Sequence, residues 1–260
     1  MDNSKNIVRQ SLLVVSTFVV LYYYFVPDNA LTSFLLLSFL LLIAIAVKAF
    51  EQVYVMLFFA MLPAFWLLPR YITGIALMQM LLPMFVSTLI VLPFSRLRKS
   101  LSFMKLGKID KFSWILMGIT IPLSVGSLLL WAYWADYFGV GVGFMRQFEA
   151  LPRWFLFVGI VPIFALANAA AEEIVFRGVI QETFHRTFKS VSVTVGLQAT
   201  IFAAAHFLMG FPNGIIGFLM VFVWGSMIGY LRHRTKGLLA PYIVHVAADG
   251  IIALVLAAQV

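Results

Sequence analysis

The stretch Ala169-Ala-Ala-Glu172-Glu173-Ile-Val-Phe-Arg177 sets three ionisable side chains inside apolar sequence. A charge inside a bilayer costs a few kcal/mol even on lenient insertion scales, so Glu172, Glu173 and Arg177 need partners or water and mark a functional site. On one helix Glu173 and Arg177 stand four residues apart and share a face. Glu172 projects about 100° away from Glu173. The spacing therefore predicts a Glu173–Arg177 ion pair and leaves Glu172 free for chemistry.

The surrounding composition decides the fold class. Of 260 residues 63% are hydrophobic and 11% charged, and mean hydropathy is +1.03. Those values lie outside the soluble range and predict an all-α, polytopic transmembrane helical bundle. Apolar stretches long enough to cross about 30 Å of hydrocarbon fall near 11 to 27, 30 to 47, 52 to 69, 72 to 93, 113 to 135, 152 to 175, 191 to 209, 213 to 230 and 237 to 258. The expectation is eight or nine spans; the second and third are short and closely joined, which leaves a re-entrant pair or a count of eight open. Tyr22, Tyr23, Tyr24 and Phe25 stand where a signal peptidase would need small residues, so the first span is read as a retained anchor with an aromatic interfacial end.

The net charge of +8 comes from Lys and Arg between the apolar runs. There they set topology, and no nucleic-acid partner is implied. Alternating the loops puts Lys5, Arg9, Lys48, the basic loop from Ser95 to Lys111, Arg186, Lys189, Arg232, Arg234 and Lys236 inside, and Arg70, Arg146 and Arg153 outside. The expected arrangement is a multi-pass protein with a cytoplasmic N-terminus, in a prokaryotic plasma membrane. That basic loop also divides a motif-free section, residues 1–112, from a motif-bearing core, residues 113–260. With no cysteine, disulfides and thiolate chemistry are excluded.

Past Arg177, residues Gly178 to Ser190 read as leaving the membrane or lying along its surface, with His185 and His233 as solvated loop histidines. His206 and His245 lie instead in apolar sequence, and His245 and Asp249 share a helix face at a spacing of four. Two chemistries suit Glu172, His206, His245 and Asp249. In one, His206, His245, Glu172 and Asp249 supply ligands to Zn²⁺, which lowers the pKa of a bound water. In the other Glu172, helped by His206, is a general base on water, and His245 with Asp249 stabilises the oxyanion. Gly225 and Gly229 predict close helix packing, and Pro162 and Pro241 predict kinks.

The ordered set Glu172-Glu173-xxx-Arg177, Phe202-xxx-His206 and His245-xxx-Asp249 resembles the signature of the CPBP intramembrane proteases, which include the CAAX prenyl endopeptidases and bacteriocin-processing or immunity-associated enzymes. The resemblance covers roughly residues 152–260. It implies a helical core whose catalytic residues converge in a cavity open to one side of the membrane. It also implies Glu172 as base, His206 holding the water, His245 with Asp249 as the oxyanion or metal side, and Glu173 with Arg177 as an internal ion pair. The family is commonly labelled metalloprotease, and a metal-independent, glutamate-dependent mechanism has also been argued for it. The CAAX branch typically carries Asn at the last motif position; Asp249 here cannot donate to an oxyanion when ionised, so it must be protonated, orient His245 or bind a cation.

The function expected is an endopeptidase cutting a peptide or protein substrate, CAAX-type and prenylated or another prepeptide, near the cytoplasmic side and among membrane lipids. A non-catalytic immunity or binding protein and an ion or proton transporter are the alternatives. The sequence fixes no oligomeric state. One internal conflict accompanies this reading. At 1.5 Å per residue, His245 lies about 14 Å along its helix from Lys236 and His206 about 26 Å from Lys189, so two residues of one site sit at different depths if both lysines mark one membrane surface.

Overall fold

The computed structural model describes residues 3–68, 76–98, 105–137, 150–208 and 210–258. Arg70, Lys99 and Arg146 of the topology reading lie outside them. Among the described residues the chain is helical without strands. Nine helices exceed ten residues: α1 (Asn3–Phe25), α2 (Ala30–Ala46), α3 (Phe50–Trp66), α4 (Ala76–Val91), α5 (Lys111–Tyr137), α6 (Arg153–Phe188), α7 (Val191–His206), α8 (Gly214–Thr235) and α9 (Leu239–Ala258). Each falls on one predicted apolar stretch. Five of them, α1, α2, α5, α6 and α8, are long and apolar enough to cross a membrane; α3, α4, α7 and α9 are shorter apolar helices.

The apolar surface follows from that setting. On α2, Leu31, Leu35, Phe39 and Leu42 form an exposed stripe, and on α5 Ile115, Ile119, Leu123 and Leu130 do the same. Such faces belong against lipid, as the five helices long and apolar enough to cross a membrane require. α3 differs. It is buried nearly all round, from Gln52 to Ala60, and packs with α1, α2, α6 and α7 in one core that draws on both sides of the basic loop.

Two proline expectations separate. Pro241 is the third residue of α9, in the first turn where its missing N–H has no intrahelical acceptor to lose, so the expected kink has no cause. Pro162 follows a π-helical turn at Leu156–Ile160. A second π segment, Glu173–Ile180, begins at the paired glutamates. π turns insert a residue into the helix and shift the side chains that follow.

Residues 178–188, expected to leave the membrane or lie along its surface, continue α6 as helix, with Val179, Ile180, Gln181 and Phe184 buried against neighbouring helices. His185 and His233 accordingly lie on helices, with ring centroids 5.3 Å apart, and not in loops. The sharp reversals between α2 and α3, α6 and α7, and α8 and α9 each use a lysine in the left-handed region: Lys48 (φ 58), Lys189 (φ 54) and Lys236 (φ 55).

The depth conflict resolves through one contact. Arg232 Nε donates to the Arg177 carbonyl at 3.2 Å, so those residues share a level. Lys189 lies twelve residues beyond Arg177, about 18 Å, whereas Lys236 lies four beyond Arg232, about 6 Å. Lys189 thus stands about 12 Å further out than Lys236, which is the difference between 26 and 14 Å. The two lysines are not at one surface.

Candidate active site

α6, α7 and α9 bring the four predicted chemical residues to one cavity of ≈ 340 Å³, whose wall includes Glu172, His206, His245 and Asp249. Phe202 links the two imidazoles. Its ring centroid lies 4.5 Å from that of His206 and 6.1 Å from that of His245, one helical turn of α7 supplying both Phe202 and His206. Trp224 of α8 packs edge-on against His245 at 4.7 Å.

His245 is the hub. Its Nδ1 donates to Glu173 Oε1 at 2.7 Å, while its Nε2 lies 3.3 Å from Glu172 Oε2 and 3.6 Å from Asp249 Oδ1. The ring fits in the angle between two successive glutamates, one at each nitrogen. Arg177 Nη1 donates to the same Glu173 oxygen at 3.0 Å, and the guanidinium lies 4.4 Å from the centroid of Phe202 and 5.7 Å from that of Trp224. The predicted Glu173–Arg177 pair is present, and the structure adds a histidine to it.

Glu172 is less free than its spacing implies. Asn168, one turn earlier on α6, donates from Nδ2 to Glu172 Oε1 at 3.2 Å and to Asp249 Oδ2 at 3.1 Å. The amide clamps α6 to α9. Glu172 Oε2, by contrast, is buried without a hydrogen bond, its 3.3 Å approach to His245 Nε2 lacking the required alignment. His206 Nδ1 stands 2.8 Å from the Phe202 carbonyl. A carbonyl only accepts, so Nδ1 carries the hydrogen and the neutral ring keeps its lone pair on Nε2.

Among the described residues no group of three or more His, Asp or Glu is arranged to hold a metal ion. Zinc would need the His245 Nε2 lone pair at about 2.0–2.1 Å, and that nitrogen faces two carboxylates that call for a proton there. The residues as placed do not fit a zinc centre.

Sequence reasoning missed four contributors. Asn168 and Trp224 join the site directly, and Tyr23 and Tyr24, expected to be an interfacial belt, line the cavity. The clue for Asn168 was its spacing of four from Glu172, within an otherwise apolar turn. Gly225 and Gly229 do permit close packing: a methyl group at Gly225 would lie 3.1 Å from the Phe202 ring, and one at Gly229 would lie 2.9 Å from Gln198 Oε1.

Fold and site together define a polytopic helical membrane protein with carboxylates and imidazoles gathered on an internal cavity. Residues 152–251 match the family model described as Type II CAAX prenyl endopeptidase Rce1-like. That match supports a CPBP family protease, and it contains all seven motif residues. Curated proteins and solved structures gave no match.

Proposed function

We propose that the chain is an intramembrane endopeptidase in which Glu172 activates water against a peptide carbonyl. The observation that carries the reading is the convergence of Glu172 with His206, His245 and Asp249 on one cavity wall, with Glu172 Oε2 3.3 Å from His245 Nε2. Water held by Glu172 Oε2 and the lone pair of His206 Nε2 donates both hydrogens and turns an oxygen lone pair outward. Glu172 takes one proton as that oxygen bonds to the carbonyl carbon. His245 Nε2–H stabilises the resulting oxyanion, held in place by Glu173 at Nδ1. The C–N bond then breaks, and Glu172 returns its proton to the leaving amine.

Asp249 orients His245 and receives Asn168, which answers its inability to donate as a carboxylate. No step runs through a metal, so chelation is expected to leave cleavage intact; loss on chelation with recovery on added zinc contradicts this mechanism. The test of function compares peptide termini by mass spectrometry in membranes carrying wild type or Glu172→Gln at equal abundance. Termini that vanish in the variant support the reading. Unchanged termini overturn it and return the site to binding or transport.

A further inference from the structure

The basic ends of the helices are tied together in space. Arg9 donates to the Lys48 carbonyl, and Gln52 on the same turn donates to the Arg9 carbonyl and to Thr187 Oγ1 near the end of α6. Arg232 Nη2 reaches Glu182 Oε2 at 2.6 Å, and Glu182 Oε1 also accepts from Arg186. The segment 105–110 docks on the α8–α9 turn through Lys108 N to Thr235 O and Leu238 N to Lys105 O, and Arg234 pairs with Asp110. One end of the bundle thus gathers Arg9, Lys48, Lys105, Lys108, Arg186, Lys189, Arg234 and Lys236, with Lys189 about 12 Å further out than Lys236. At the opposite ends the charged residues on described elements are Asp28, Asp136 and Arg153.

The site lies about 14 Å from the basic face, measured along α9 from Lys236 to His245. Between them the bundle is plugged by side chains without access to solvent, among them Arg177, Phe184 and Gln198. The cavity extends the other way. Tyr24 lies about 22 Å along α1 from Arg9, Trp66 about 21 Å along α3 from Gln52, and Met220 about 24 Å along α8 from Lys236. All three line it, as do Phe211 and Leu208 in the α7–α8 connection, and Leu208 is 44% exposed.

We infer that the catalytic cavity opens on the face opposite the basic loops. By the positive-inside rule that face is extracytoplasmic. This reverses the cytoplasmic-side cutting expected from the sequence. The substrate class, which rests on the protease reading, is then a peptide segment presented at the outer half of the membrane, with apolar or aromatic side chains to fit Tyr24, Trp66, Phe211 and Met220. A soluble cytoplasmic protein tail does not reach this opening.

The absence of cysteine makes sidedness directly measurable. Ser127→Cys and Met220→Cys place a thiol on the cavity wall away from the chemical residues; Lys48→Cys and Lys236→Cys place one on the basic face. Each full-length variant is treated with a membrane-impermeant maleimide in spheroplasts and in inside-out vesicles. The expected result is that the cavity positions label in spheroplasts to the extent reached in detergent, while the basic positions label only after inversion. Cavity thiols that label only alongside Lys48→Cys and Lys236→Cys, or from neither side, overturn the inference. The expected labelling without any Glu172-dependent peptide product leaves the sidedness standing and removes the protease reading.

Discussion

Replacing Glu173 by Leu removes one oxygen that accepts from two buried donors, Arg177 Nη1 at 3.0 Å and His245 Nδ1 at 2.7 Å. Breaking a buried ion pair from one side costs about 3–5 kcal/mol, and with two donors stranded the upper end is expected. Arg177→Met leaves Glu173 bonded to His245 and should cost about 3 kcal/mol. The double variant discriminates between roles. An isolated structural pair replaced by apolar residues of similar volume is often neutral. Here the double variant still leaves His245 Nδ1–H without its acceptor, so a residual loss of about 1–3 kcal/mol is expected. Cleavage should stay about 10- to 150-fold below wild type in Glu173→Leu and in the double variant, the equivalent of one charge-assisted hydrogen bond of about 1.5–3 kcal/mol. The assays are denaturant midpoints in detergent micelles and product termini in membranes. A double variant with wild-type stability and wild-type cleavage would refute the assignment of Glu173 as the residue that positions His245.

Gly229→Ala puts a methyl group 2.9 Å from Gln198 Oε1 and 3.4 Å from Gln181 Oε1, so a loss of about 1–3 kcal/mol is expected from unfolding midpoints. Asn168→Leu removes both donors of the α6–α9 clamp, and cleavage is expected to fall about tenfold or more while the protein stays folded, with Asn168→Gln recovering part of it. Outside the spans, hydrogen bonds from the Ser113 hydroxyl and backbone N–H, with Arg234 beside them, hold the Asp110 carboxyl below the ordinary carboxylate range. Because that folded-state value is depressed, its contribution is complete above the unfolded value and lost as pH falls through the lowered one. Melting points of wild type and Asp110→Asn should therefore differ near neutral pH and converge in acid; a gap that persists at low pH contradicts this.

The helices and the six polar motif residues were legible because polar groups are rare in apolar sequence, so each one stands out. What surrounds them was not. α3 is a buried core helix and α2 a lipid-facing one, yet both read as apolar runs, since lipid and protein interior favour the same residues. The second role of Glu173 was hidden because His245, its partner, lies 72 residues away. The depth of His206 was misjudged because Lys189 was taken as level with Lys236, a relation carried by the Arg232–Arg177 contact between helices. Tyr24 looked like an interfacial anchor, and only packing turns it toward the cavity.

The central claim is that water activated by Glu172 cleaves a peptide in this cavity. The most direct measurement incubates membranes carrying wild type or Glu172→Gln in ¹⁸O-labelled water and reads new C-termini by mass spectrometry. The account predicts a set of termini present only with wild type, each carrying one solvent oxygen. Termini that form equally with Glu172→Gln, or that depend on Glu172 but carry no solvent oxygen, would contradict it.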